Sequence, residues 1–252
     1  MTVNHANNQQ QTVMLAADGS SYSISTVNLA VAMAASANTL LRCLFIEDED
    51  LLQVTDLPCT REITLTTASE RPTSVDQMQR SLRSVASQFK KTLQHEAQAL
   101  QIAWSFDTVR GRVRDINLKP RSDVTYTIIG QPLSHRQHFR RVHGPRKILL
   151  IGNDSPYQKY ALEMLLRRFS HQEIEVTLVA DDPESEVSSE LARRIKANDK
   201  EIMLIELNRN QLDDLLGKAT SSFDCAIVAK HGQAEETLRI LQQLLCPIIL
   251  VT

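Results

Sequence analysis

Apolar residues along the chain recur with two different periods, and those periods alternate. Val13-Met14-Leu15-Ala16-Ala17 is a short unbroken apolar run that ends in Asp18-Gly19-Ser20. Ile24, Val27, Val31 and Ala34 then fall at three- and four-residue spacing, which predicts a helix. A β-like run covers Leu40 to Ile46, and the acidic Glu47 to Asp50 after it reads as a solvated loop. From Ser74 to about Leu100 the pattern is strongly helical, with Val75, Met78, Leu82, Val85, Phe89, Leu93, Ala97 and Leu100 on one stripe. Ile102, Trp104 and Phe106 alternate with small or polar residues, and Val124 to Ile129 is a further strand ending at Gly130. The predicted order is β-α-β-α-β-(short α)-β.

The same order returns in the second half. Lys147 to Ile151 is a strand that runs into Gly152-Asn153-Asp154-Ser155, and Pro156 suits a first helical turn. Leu162, Leu165, Leu166 and Phe169 mark a helix, and Ile174, Val176 and Leu178 a strand. Val187, Leu191 and Ile195 mark a helix, Ile202 to Ile205 a strand, and Leu212, Leu215 and Leu216 a helix. Cys225 to Ala229 is a strand, Leu238, Leu241 and Leu245 a helix, and Pro247 to Val251 the last strand. Strands alternating with helices imply a mainly parallel sheet covered on both faces. The expected organisation is a polar tail at 1–11, a first α/β unit at 12–131, a basic linker at 132–145 and a second unit at 146–252. The first unit lacks the terminal helix and strand that the second has.

Composition narrows the classes. The chain has 252 residues, 42% of them hydrophobic, which is enough for a packed core and excludes wholesale disorder. No apolar run reaches the ~18 residues of a membrane span, and the polar start has no signal-peptide core, so a soluble cytoplasmic protein is expected. Cys43, Cys59, Cys225 and Cys246 are widely spaced and contain no CxxC pair, which argues against a disulfide framework and a structural zinc. Net charge is −2, and each half carries one more acidic than basic residue, so nucleic acid is not an expected partner. Glycine is scarce, with seven residues, and glycine is what a phosphate-cradling loop needs.

Three segments carry a family resemblance. Val13-Met14-Leu15-Ala16-Ala17-Asp18-Gly19-Ser20, the worn repeat Asp154-Ser155-Pro156, and Cys246-Pro247-Ile248-Ile249-Leu250-Val251 stand in order within a twice-repeated βα array. With them the chain resembles a tandem universal stress protein. The resemblance implies two Rossmann-like, doubly wound parallel-sheet half-domains, paired as a pseudo-dimer within one chain or as a homodimer. Many members of that family bind ATP, and others do not. The ATP-binding members carry a glycine loop, G-x2-G-x9-G, after the fourth strand. Here Gly130 fits its first position, but Leu133 and His143 stand at the next two. The second half has Ala229-Lys230-His231-Gly232 without the later glycines. ATP binding in the usual mode is therefore not expected.

The candidate ligand residues are Asp18, Gly19 and Ser20 at the end of the first strand, Gly111 and Gly130, and the linker cations Arg136 and Arg140. Asp18 lies where open α/β sheets bind ligands, and the resemblance brings its counterpart near a nucleotide. Capping of the following helix by Asp18 or Ser20 explains the same residues without a ligand. The linker arginines, with His135, His138 and His143, suit an anionic ligand, or a solvated connector. No nucleophile elbow, HExxH or poised acid–base pair occurs, so no catalytic residue and no metal site is expected. The leading expectation is a non-enzymatic stress-adaptation protein acting through binding or interaction with an unidentified protein partner. The alternative is an ATP- or ADP-binding sensor with at most slow hydrolysis.

Overall fold

The computed structural model describes residues 12–21, 23–63, 68–112, 125–130, 145–151, 156–168, 174–180, 202–208, 223–229 and 246–251, with parts of 211–216 and 239–244. The tail at 1–11, the linker from 132 to 144, the stretch 113–124 and the helix expected at Val187, Leu191 and Ile195 lie outside them.

In chain order the elements are β1 (Val13–Asp18), α1 (Ile24–Ala37), β2 (Leu41–Asp48), α2 (Glu49–Thr55), β3 (Arg61–Ile63), β4 (Glu70–Pro72), α3 (Val75–Ala99), β5 (Trp104–Gly111) and β6 (Tyr126–Ile129). There follow β7 (Lys147–Ile151), α4 (Pro156–Arg168), β8 (Ile174–Ala180), β9 (Ile202–Asn208), β10 (Cys225–Ala229) and β11 (Ile248–Val251).

Nine strands form one sheet in the order β5-β2-β1-β6-β11-β10-β7-β8-β9. All pairings in it are parallel except one. β6 and β11 run antiparallel, with Ile129 opposite Ile248 and Tyr126 opposite Val251. The fold is therefore α/β, built from two half-sheets of Rossmann-like winding. Both halves read outward from the seam in the same relative order, but the second also supplies β11, which has no counterpart beside β6. That strand fills the position the first half leaves open.

Local sequence explains the main helices. Ser23 has extended backbone (φ −142°, ψ 152°), and its hydroxyl oxygen accepts from the Thr26 N–H at 3.1 Å, which starts α1. Asn38 closes it in the left-handed region (φ 49°), while the Thr39 N–H returns to the Ala34 carbonyl at 3.1 Å. Asparagine tolerates that backbone better than most residues, so the stop is encoded locally. In α3 the buried stripe is Leu82, Ala86, Phe89, Leu93 and Ala97. Phe89 is fully buried and meets Phe106 edge-on at 5.6 Å and Phe45 at 6.3 Å. Burying one such ring stabilises the fold by about 2–3 kcal/mol.

One apolar cluster runs beneath α1, α3 and α4 across both halves, from Phe45 and Leu15 through Ile128 to Ile249, Ile227 and Val176. α1 packs directly on α4, so this core bridges the seam. On the opposite face Leu212, Leu216, Ile240 and Leu244 pack with Ile129, Leu149 and Val228. Of the expected stripe Leu238, Leu241 and Leu245, none lies among the described residues, and the neighbouring Ile240 and Leu244 are buried. No helix among the described residues is long and apolar enough to cross a membrane.

One expectation is corrected. Glu47 to Asp50 is not a loop: Glu47 and Asp48 end β2, and Glu49 and Asp50 open α2. Asp48 caps that helix, accepting from the Asp50 N–H at 3.0 Å, and acids in a first helical turn favour the arrangement. The β3–β4 ribbon has three residues per strand, too few for a period to show. Its ion pairs, Arg71–Glu62 at 2.7 Å and Arg61–Glu70 at 3.5 Å, join the strands across their register.

Candidate functional site

The carboxyl ends of β1, β2, β5 and β6 bring together most of the described residues that sequence reasoning selected. Asp18 ends β1, Gly111 ends β5 two strands away, and Gly130 follows β6. Arg136 and Arg140 lie outside the described residues, as do Asp154 and Ser155.

Asp18 is almost wholly buried, and its carboxylate closes a turn on itself. Its Oδ1 accepts from the Ser20 N–H at 2.8 Å, the Ser20 hydroxyl at 2.8 Å and the Ser21 N–H at 2.7 Å. The Ser21 hydroxyl oxygen in turn accepts from the Asp18 N–H at 2.8 Å. Neither Asp18 nor Ser20 caps α1; Ser23 does, because its backbone is extended and its side chain reaches the free Thr26 N–H. Ser21, which sequence reasoning passed over, is the buried partner of the turn. Gly19 is exposed at the tip, and a Cβ there would come within 3.1 Å of Leu82 Cδ2 on α3.

Gly130 has a packing explanation. Its N–H donates to the Ala16 carbonyl at 3.3 Å, and a Cβ built on it would stand 2.3 Å from the Ser21 carbonyl oxygen. Glycine is required there so that the Asp18–Ser21 turn can close over the end of β6. The residue thus says nothing for a phosphate loop.

Among the described residues the charges at this end are mostly acidic. Arg110 pairs with Glu47 at 3.6 Å, and Arg112 with Asp50 at 3.0 Å. These arginines escaped sequence reasoning because they come opposite the acidic run only through the β2–β5 register, which sets Glu47 against Arg110. Burial holds the Asp48 carboxyl above its ordinary value, the Asp50 N–H opposes this, and the nearby Asp18 and Asp50 charges push it up further. A triphosphate needs unopposed cations or free N–H donors, and the described residues here offer two arginines already paired with acids. They do not fit ATP. Among the described residues no group of three or more His, Cys, Asp or Glu is arranged to hold a metal ion.

The corresponding end of β7 is built differently. The Gln158 side chain, from α4, donates to the Ile151 carbonyl at 2.6 Å and is itself buried. At the other end of the same strand the Asp224 carboxylate accepts from the Arg146 and Lys147 N–H groups at 2.7 and 3.0 Å. Both contacts satisfy backbone groups of β7, and so are structural.

No family model and no curated protein matches the chain. Among solved structures it is similar to a universal stress protein from Archaeoglobus fulgidus DSM 4304, with TM-score 0.50 and 11% identity over 95% of this chain and 96% of that one. MurG from Acinetobacter baumannii aligns with TM-score 0.25 and 15% identity over 91% of this chain and 76% of that one. At such identities the first likeness establishes a shared α/β fold of universal-stress type, and nothing finer.

Proposed function

We propose that this chain is a non-enzymatic, universal-stress-like protein, a pseudo-dimer within one polypeptide, which acts in stress adaptation through binding to other proteins. The observation that carries the reading is the closure of the Asp18–Ser21 turn against Gly130. The strand end where an open α/β sheet takes its ligand is here filled by its own backbone and serine side chains. The acidic surroundings, in which Arg110 and Arg112 are already paired, support it further. The pseudo-dimer reading rests on the antiparallel seam between β6 and β11 and on the core that α1 and α4 share across it.

Calorimetric titration and thermal melting with millimolar ATP and Mg²⁺ test this. No heat of binding and no shift in Tm are expected. A ligand with Kd equal to its concentration would stabilise by about 0.4 kcal/mol, which melting resolves. Saturable binding, or phosphate release that Asp18→Asn abolishes, would overturn the reading in favour of a nucleotide sensor.

A further inference from the structure

Between its capped start and its last turn, α3 shows water one uniform face. Every exposed position from Gln77 to His95 is Gln, Ser, Arg, Lys or His. No acid falls between Asp76 and Glu96, while Arg80, Arg83, Lys90 and Lys91 are all exposed. At 3.6 residues per turn the four cations share one arc of roughly 100°. The arginine pair and the lysine pair stand about 10–17 Å apart along the helix axis.

Among the described residues none of these four cations is in an ion pair, whereas Arg61, Arg71, Arg110, Arg112 and Lys147 each meet an acid. α1, which packs beside α3, carries no charged residue. On β5, Phe106 turns towards α3 and meets Phe89, so strand alternation sends Asp107 to the other face. The near-neutral charge of the whole half averages this face with the acidic run Glu47 to Asp50. Local charge is what a partner meets first.

The rest of the face selects among anionic partners. Protein interfaces anchor on large apolar or aromatic side chains, and among the described residues none of those exposed lies on α3. Insertion into lipid needs an apolar face, and the apolar stripe of α3 is already buried in the core. A second copy would set like charges against each other. A single nucleic-acid strand is held by stacking on aromatic rings, and the Phe106 ring is covered by the Lys90 ammonium at 5.9 Å. Cations interspersed with Ser and Gln donors are the chemistry that holds the phosphates of a duplex.

We infer that this face of α3 binds the phosphate backbone of a duplex nucleic acid, without reading its base sequence. Arg80 and Arg83 take phosphates at one end, and Lys90 and Lys91 at the other. Ser84, Ser87 and Gln88, exposed between them, donate hydrogen bonds to phosphate oxygens. The inference adds a partner to the protein-binding reading above and does not depend on it.

Fluorescence anisotropy of a labelled duplex of about 20 base pairs tests it. Micromolar binding is expected at ~50 mM salt, falling about a hundredfold by ~200 mM, a log–log slope of roughly −3 to −4 for four phosphate contacts. A duplex of shuffled sequence should bind equally well. Lys91→Gln should lower the slope by about 1, and replacing all four cations by Gln should abolish binding. Circular dichroism and Tm should not change, because Gln is a good helix former. The Lys91→Gln slope decides the matter even if the quadruple variant fails to fold. Arg61→Gln with Arg71→Gln removes two exposed cations that are already paired, and should leave Kd unchanged. No binding at low salt, binding retained by the quadruple variant, tighter binding of the single strand, or capture by phosphatidylserine vesicles and not by the duplex each overturns the inference.

Discussion

A methyl group on Gly130 would stand 2.3 Å from the Ser21 carbonyl oxygen, and 3.2 Å from the Ser21 Cβ. The obstacle is backbone, locked in place by Asp18 and unable to swing aside as a flexible side chain would. Gly130→Ala is therefore expected to destabilise the fold by at least about 2 kcal/mol, as overpacking in a rigid core does. Chemical denaturation measures this, and a neutral result would show that the turn is not held as described.

The turn itself depends on one carboxylate oxygen. Asp18→Ala removes the acceptor of three hydrogen bonds and is expected to cost about 2–3 kcal/mol. Asp18→Asn keeps an acceptor oxygen and loses only its charge, so a loss of about 1 kcal/mol is expected. Equal losses for the two variants would mean that the charge, and not the hydrogen bonding, holds the turn.

Asp48 provides a pH signature. Its folded-state carboxyl is raised above the ordinary 3.8, chiefly by burial, so the fold binds this proton more tightly than the unfolded chain does. The stability linked to it is fully present below that value and is lost as pH rises through the folded-state pKa. Asp48→Asn keeps an α2 cap of nearly equal quality and removes the charge. The variant is expected to melt higher than the natural chain at neutral pH, with the difference shrinking as pH falls through the raised folded-state value and gone below about 3.8. Melting curves of both proteins across acid pH check the sign.

The cysteines divide by burial. Cys59 is exposed, while Cys43, Cys225 and Cys246 are buried and free. Burial pushes the Cys246 thiol up to about 12, and raises those of Cys43 and Cys225 far above the usual thiol range. A thiol-specific chromogenic reagent should modify one cysteine rapidly in the native protein and all four once it is unfolded. Rapid native reaction of a second thiol would contradict the packing around β2, where Cys43 lies, or beside the seam, where Cys225 opens β10 and Cys246 precedes β11.

How much of this could be read from the sequence depended on the range of the cause. The α3 stripe was legible because every member repeats on one helical face, and the structure buries Leu82, Phe89, Leu93 and Ala97 as that period requires. The β1, β10 and β11 runs were legible because strands buried on both faces are continuously apolar. α2 was missed because Glu49 and Asp50 read as loop, although Asp48 followed by acids and then Leu51 and Leu52 is a helix-start signal. At the site, Asp18 stood out in the sequence, but its part in the turn did not. The closure of its turn requires Ser21 and Gly130 to meet, and only tertiary packing brings them together. Arg110 and Arg112 gain their meaning from the β2–β5 register in the same way.

The place of β11 has a kinetic consequence. It is the fifth of nine strands, yet it comes after all the others in sequence, and Ile248 must find Ile129 across the linker and nearly all of the second half. Contacts of such long range close late, because the loop entropy is lost before the contact repays it. A folding intermediate with unjoined half-sheets exposes the apolar edges of β6 and β11 at once, and bare edges of that kind recruit other chains. Any state with the half-sheets formed and the seam still open would therefore be the one most exposed to aggregation.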